Sequence, residues 1–168
     1  DYVAVAAGGS HSLGLQARGY IVAWGNNVYG QTNVPFFPNR GIVAIAAGGG
    51  HSLGLKDGGS IVAWGDNGWG QSNVPTPNAD FIGIAAGYAH SLALKDDGSI
   101  VAWGCDFFDF GQCNVPAPNA DFIAIAAGAV HNLGLKSDGS IVAWGCEEPL
   151  NEGQCNIPAP NADFIAIA

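Results

Sequence analysis

Positive charge is scarce in this chain: Lys and Arg together number 5, against 14 Asp and Glu, for a net charge of -9 with histidine neutral. Such a chain lacks the basic patch that nucleic acid or an anionic membrane surface would require, so neither partner is expected. Methionine is absent altogether and the chain opens at Asp1 in mid-pattern, which reads as a processed or excised segment. No signal peptide stands at the front, and a mature secreted chain would have lost one. No run approaches the ~18 apolar residues of a membrane span, so no membrane insertion is expected. Helical periodicity is missing too, because no stretch keeps apolar residues at three-and-four spacing between caps.

What the sequence has in abundance is repetition. Residues 84–104 read IAAGYAHSLALKDDGSIVAWG, and the same phrase starts at Val5, Ile45 and Ile125. His11, His51, His90 and His131 recur at steps of 40, 39 and 41 residues, and Trp24, Trp64, Trp103 and Trp144 keep the same steps. A fixed period with strand-like content marks a repeat architecture. The units are approximately 1–40, 41–79, 80–120 and 121–162, and residues 163–168 (DFIAIA) match 1–6 (DYVAVA) and read as the first strand of a fifth.

Within the second unit, Ile42 to Ala47 is an apolar strand, 52–55 alternates about Leu53 and Leu55, 60–64 is a third strand, and 71–74 reads as a shorter fourth. Glycine-rich turns separate them. Pro75 and Pro77 end the pairing, because proline has no amide hydrogen to give a ladder. Four short antiparallel strands per unit predict an all-β fold, a β-propeller rather than a sandwich. One blade cannot bury both of its faces, so stability must come from its neighbours. The Ala-Ala-Gly triplets at 6–8, 46–48, 85–87 and 126–128 suit an innermost strand, where only small side chains fit the crowded axis. Four repeats plus one extra strand read as a segment or arc of a larger propeller, with a compact four-blade ring and a frayed end as the alternative.

The run AGxxHSLxLKxDGSIVAWGxNxxGQ resembles the repeat of the regulator of chromosome condensation superfamily. Residues 61–75, IVAWGDNGWGQSNVP, look closer to its bacterial short-repeat branch, that of the beta-lactamase-inhibitory proteins. The resemblance covers essentially the whole chain and implies a β-propeller, seven-bladed in the family. In the inhibitor branch it implies a secreted protein whose target-binding face is built from aromatic and acidic loop residues. No equivalent of the nucleotide-exchange elements of the eukaryotic founder is found, so exchange on a nuclear GTPase is not expected.

Each histidine occupies the same place in a different unit, so neighbours stand a blade apart, about 10 Å if blades space like stacked sheets. That is too far for one ion at the ~2.0–2.1 Å of a zinc–nitrogen bond. No metal and no cofactor are expected, and each imidazole is expected to be half-buried and hydrogen-bonded to backbone near a tight turn. Cys105 and Cys113 flank the loop in GCDFFDFGQC, and Cys146 and Cys155 flank the one in GCEEPLNEGQC. At the matching places the first unit has Asn26 and Thr32 and the second has Asp66 and Ser72. Both units that carry the pair also carry the longer loop. Disulfides Cys105–Cys113 and Cys146–Cys155 are expected across the base of each hairpin; zinc, the rival for four cysteines, lacks its C-x₂-C spacing. So short a closure would add less than the ~3 kcal/mol of a 15-residue loop, and its use is to hold a loop in shape. Disulfides imply an oxidising compartment, hence secretion or the cell surface.

These loops carry the functional clue. The residue before each Gly-Gln step is Tyr29, Trp69, Phe110 or Glu152, and the third loop adds Phe107 and Phe108 between Asp106 and Asp109. In an antiparallel blade the first and third turns open on one side, which brings Tyr88 to the same side. Exposed aromatics with acidic neighbours suit a protein-binding face; for Tyr29 and Trp69, packing back over their own hairpins is the alternative. On the opposite side, the Asn-Ala-Asp triplets at 78–80, 119–121 and 161–163 read as Asx-type turns, with calcium binding as the alternative. No nucleophile, base and orienter stand together, so no enzyme activity is expected. The reading is an extracellular, adhesion-type module that grips a protein or a surface glycan. The alternatives are a unit of a self-assembling surface protein or filament, associating through its terminal strands, and a protein inhibitor of a secreted hydrolase.

Overall fold

The computed structural model describes residues 1–36 and 40–168. Its strands are β1 (Tyr2–Ala7), β2 (His11–Gln16), β3 (Ile21–Gly25), β4 (Ile42–Ala47), β5 (His51–Lys56), β6 (Ile61–Gly65), β7 (Phe81–Ala86), β8 (Ser91–Lys95), β9 (Ile100–Trp103), β10 (Phe122–Ala127), β11 (Asn132–Lys136) and β12 (Ile141–Trp144). Among the described residues, consecutive trios form four separate antiparallel sheets, one per repeat, with the second strand in the middle of each. This is the all-β propeller-blade architecture that the repeat predicts.

The core lies between blades. Leu53, Leu55 and Ile61 of the second blade pack against Phe81, Ala93 and Trp103 of the third. Leu92, Leu94 and Ile100 of the third pack in turn against Phe122 and Trp144 of the fourth. Alternate residues of the same central strand therefore serve opposite neighbours, as the two-residue period of a strand requires. That is why β8 is buried on both faces although it belongs to a three-stranded sheet.

The small residues stand where the blades converge. Gly8, Gly48, Gly87 and Gly128 line one shallow axial depression. A Cβ on Gly48 would lie 2.5 Å from the carbonyl oxygen of Gly87 and would also strike the His51 ring. Backbone hydrogen bonds cross from blade to blade at this level: Gly9 N–H to Gly48 O at 3.0 Å, Gly49 N–H to Gly87 O at 3.1 Å, and Tyr88 N–H to Ala129 O at 2.9 Å.

The expected fourth strand does not form. Residues 71–72 are a turn and 73–74 are irregular, with Asn73 N–H on Gly70 O at 2.9 Å. The Gln71 carbonyl, which a ladder would need, is bonded by the following blade. Residues 163–168 pair with no strand among the described residues, yet they repeat the junction of the other units. Phe164 N–H meets Gly139 O at 3.0 Å, as Phe122 N–H meets Gly98 O and Phe81 N–H meets Gly59 O. The Asn-Ala-Asp triplets do more than turn the chain. The Asn78 amide grips the backbone of Ile61 from both ends (Oδ1 accepting at 2.7 Å, Nδ2 donating at 2.8 Å), and Asn119 does the same to Ile100. Asp80, Asp121 and Asp163 then take left-handed φ values of 66, 65 and 64°.

Candidate functional site

The loop face is built on one residue that the motif pattern left in the background: the glutamine of each Gly-Gln step. Its side chain shapes its own loop. Gln31 Oε1 accepts the Tyr29 N–H and Gln71 Oε1 the Trp69 N–H, both at 2.9 Å. Gln112 and Gln154 do the same for Phe110 and Glu152. Its backbone carbonyl anchors the next blade. Gln31 O accepts from Ser52 Oγ at 3.0 Å and Trp64 Nε1 at 2.9 Å. Gln71 O accepts from Ser91 Oγ and Trp103 Nε1, and Gln112 O from Asn132 Nδ2 and Trp144 Nε1. The recurrence of Gly-Gln in all four repeats was the signal for this role.

The histidines complete the same junctions. His11 Nε2 meets Ser52 Oγ and His51 Nε2 meets Ser91 Oγ, each at 2.9 Å, while His90 Nε2 meets Asn132 Oδ1 at 2.7 Å. The partner is thus a side chain of the following blade, where backbone was expected. Since the serine hydroxyl already donates to the glutamine carbonyl, it must accept from the imidazole, so the proton sits on Nε2. Among the described residues, Nδ1 of His11, His51 and His90 is buried without a partner. A second proton there would be a buried charge with nothing to accept from it. Burial accordingly holds His51 down to about 3, with the neighbouring His90 and His11 acting in the same direction. Burial lowers His90 as well, against its bond to Asn132, which raises it. Among the described residues no group of three or more His, Cys, Asp or Glu is placed to hold a metal ion.

The aromatic residues divide into two sets on this frame. Tyr29, from the first blade's loop, and Tyr88, from the third blade's first turn, both line a pocket of about 390 Å³ with Val28, Asn26, Gln31 and Ser10. Both rings are mostly exposed. They reach each other's neighbourhood across Gly49 and Gly50 of the second blade: a Cβ at Gly50 would lie 3.2 Å from Tyr29 Cδ2 and 3.3 Å from Asp66 Cβ. The second set is a ridge. Trp69 stands 6.0 Å from Phe108 in a tilted pair, and Phe108 stands 4.9 Å from Phe110, edge to face. Asp106 N–H bonds Trp69 O at 3.3 Å, tying the enlarged third loop to the second. Phe107 is 85% exposed, whereas Phe108 and Phe110 are half-buried.

Disulfides Cys105–Cys113 and Cys146–Cys155 close the bases of the third and fourth loops, and no cysteine is free. In the second blade the same two positions are bridged without a covalent bond, by Ser72 Oγ donating to Asp66 O at 2.8 Å. Because none of the four cysteines belongs to the apolar clusters between blades, a reductant is expected to expose the third and fourth loops to limited proteolysis while far-ultraviolet circular dichroism stays unchanged. Loss of the β signal on reduction would place the bridges in the blade framework instead.

The family described as Regulator of chromosome condensation (RCC1) repeat matches the chain four times, at residues 2–31, 42–71, 81–112 and 122–154. The chain belongs to the RCC1 repeat family. Each matched RCC1 repeat opens on the first residue of a blade and ends at or beside the glutamine described above, except that in the structure its content is three strands and a loop. Comparison with curated protein sequences finds no match. Among solved structures, the chain is similar to Prp20p of Saccharomyces cerevisiae, whose structure was described with its binding to Gsp1p and histones: 24% identity, 87% of this chain, 45% of that one, TM-score 0.74. It is also similar to the ectodomain of the Physcomitrella patens receptor kinase CR4 (26% identity, 86% of this chain, 40% of that one, TM-score 0.70). A third is the ectodomain of the Arabidopsis thaliana receptor kinase ACR4 (26% identity, 88% of this chain, 54% of that one, TM-score 0.71). The chain spans about half the length of these structures.

Proposed function

We propose that this RCC1-repeat chain is an extracellular protein-binding module, and that its binding face is the loop side carrying Tyr29, Trp69, Tyr88, Phe107, Phe108 and Phe110. The observation that carries the reading is the pocket between Tyr29 and Tyr88, open to solvent and backed by glycine from the blade between them. Tyrosine and tryptophan held in place by a rigid frame contribute large contact area at little ordering cost. Asp66, Asp106 and Asp109 around the rings, and the net charge of -9, favour a partner segment that is basic as well as apolar. Two disulfides and the likeness to two receptor-kinase ectodomains support a location outside the reducing cytoplasm. The role is one of binding rather than catalysis.

The reading is tested by selecting a random peptide library on the immobilised chain. Selected peptides are expected to be rich in Lys, Arg and aromatic residues. They should bind at least about tenfold more weakly to the Tyr29→Ala/Tyr88→Ala variant, as befits loss of central aromatic anchors. Phe107→Ala/Phe108→Ala is expected to weaken binding too, with Phe107 contributing through its exposed ring. Peptides that bind both variants as well as the parent chain would move the binding face elsewhere.

A further inference from the structure

The loops of the first two blades are held by the same hydrogen bonds but differ at two residues that meet at one peptide bond. In the first loop Asn27 Nδ2 donates to Asn33 Oδ1 at 2.8 Å, the Thr32 N–H donates to Asn27 Oδ1 at 3.0 Å, and the Val28 N–H donates to Asn26 Oδ1 at 3.0 Å. In the second, Asn67 Nδ2 donates to Asn73 Oδ1 at 2.9 Å, the Ser72 N–H donates to Asn67 Oδ1 at 2.9 Å, and the Gly68 N–H donates to Asp66 Oδ1 at 3.0 Å. The acceptor of that last bond changes from an amide oxygen to a carboxylate, which can take up a proton. The residue after the asparagine changes from β-branched Val28 to Gly68, which has no side chain to crowd its amide nitrogen. Asn67-Gly68 is the one Asn-Gly step in the sequence, and both residues are exposed.

We propose that Asn67 is a site of self-modification, at which the Gly68 nitrogen attacks the Asn67 side-chain amide with Asp66 as the base, so that the asparagine becomes aspartate or isoaspartate. Nucleophile and carbonyl are neighbours in the chain, so the step needs no encounter between molecules. As the bond from Gly68 N to Asn67 Cγ forms, the amide proton passes to Asp66 Oδ1, which already accepts it. The Ser72 N–H stabilises the negative charge that Asn67 Oδ1 gains. The Cγ–Nδ2 bond then breaks, the nitrogen leaves as ammonia with the proton from Asp66, and the carboxylate is restored. Water opens the resulting succinimide and returns the proton to the imide nitrogen. Its attack at Cγ gives aspartate, and its attack at the main-chain carbonyl gives isoaspartate. Either product lacks the N–H that Asn73 Oδ1 now accepts. Isoaspartate also lengthens the main chain inside the turn that Gly70 N–H closes on Asn67 O at 3.2 Å. Trp69 lies within that turn, so the change displaces a loop-face aromatic and sets a further negative charge beside it.

The test is to incubate the folded 168-residue chain near neutral pH and follow its peptides by mass spectrometry, with enzymatic methylation to mark isoaspartate. The peptide holding Asn67 is expected to gain the mass of an amide-to-acid exchange, and the peptide holding Asn27 to stay unchanged. Asp66→Asn gives the second loop the acceptor of the first and is expected to slow conversion at least about tenfold, as loss of a positioned base does. In urea, where the loop hydrogen bonds are gone, parent and variant are expected to convert at one rate. Asn26→Asp with Val28→Gly moves the pair into the first loop and is expected to make Asn27 convert. An Asn67 that stays an amide in the folded chain overturns the proposal, as does an Asp66→Asn chain that keeps the parent's rate. Where Asp66→Asn loses the β signal in circular dichroism, the first-loop variant decides: an Asn27 that stays an amide there overturns the proposal. Neither result bears on the loop face as a binding site, which is tested with other residues.

Discussion

Replacing Trp103 with alanine lowers the unfolding free energy by about 3–5 kcal/mol, the range for removing a buried tryptophan. The expectation rests on where the ring lies. Trp103 belongs to the third blade, but it fills a cluster with Leu53, Leu55 and Ile61 of the second, and its Nε1–H donates to Gln71 O at 2.9 Å. Deleting it opens a cavity between blades rather than within one. Trp103→Phe separates the two contributions. It keeps most of the apolar contact and removes the donor, while Ser91 Oγ still satisfies the Gln71 carbonyl, so its cost is expected near the ~1 kcal/mol of a single net hydrogen bond. Urea denaturation of the three proteins under one set of conditions gives both differences. Equal losses in the two variants would mean that the hydrogen bond, and not the filled space, holds the blades together.

Acidification is the second large effect. The unfolded His51 imidazole takes up a proton near pH 6.5, whereas the folded one, buried and with Nδ1 unpartnered among the described residues, resists it down to about 3. Between those values the unfolded chain binds more protons, so stability rises with pH. The contribution is fully present above pH 6.5 and is lost as the pH falls toward the folded value. Each pH unit in that window costs ~1.4 kcal/mol for this one group. His90 and His11, also lowered by burial, add in the same direction. Moving from pH 7 to pH 4.5 therefore removes about 3 kcal/mol through His51 alone. His51→Gln, which retains a donor for Ser91, is expected to flatten the dependence, and the difference between the two profiles cancels the carboxylates common to both. Parallel profiles would show that the His51 ring is protonated in the fold.

Much of the blade was legible because its rules are local. Alternation about Leu53 and Leu55, the Asp57-Gly58-Gly59 turn and the crowding implied by Ala-Ala-Gly all act within a few residues. The paired presence of Cys105 with Cys113 and of Cys146 with Cys155 made the loop bridges readable in the same way. What the sequence did not disclose crosses between blades. The 71–74 stretch has the composition of a strand, but its carbonyl at Gln71 belongs to Ser91 and Trp103, 20 and 32 residues ahead. The histidine partners lie about one repeat away, and no local pattern distinguishes Ser52 or Ser91 as an acceptor. The loop positions of the aromatics were legible, but their division into a tyrosine pocket and a Trp69–Phe108–Phe110 ridge depends on which blade each ring leans toward.

The carbonyls of Gln31, Gln71 and Gln112 receive the following tryptophan at 2.9, 2.9 and 3.1 Å, although the loop before Gln112 is longer than the other two. Loop length is thus uncoupled from blade spacing: whatever is threaded between the closing pair and the glutamine leaves the architecture behind it in place. The segments inside Cys105–Cys113 and Cys146–Cys155 are, in effect, interchangeable cassettes, and new recognition sequences can be grafted there without redesigning the propeller that carries them.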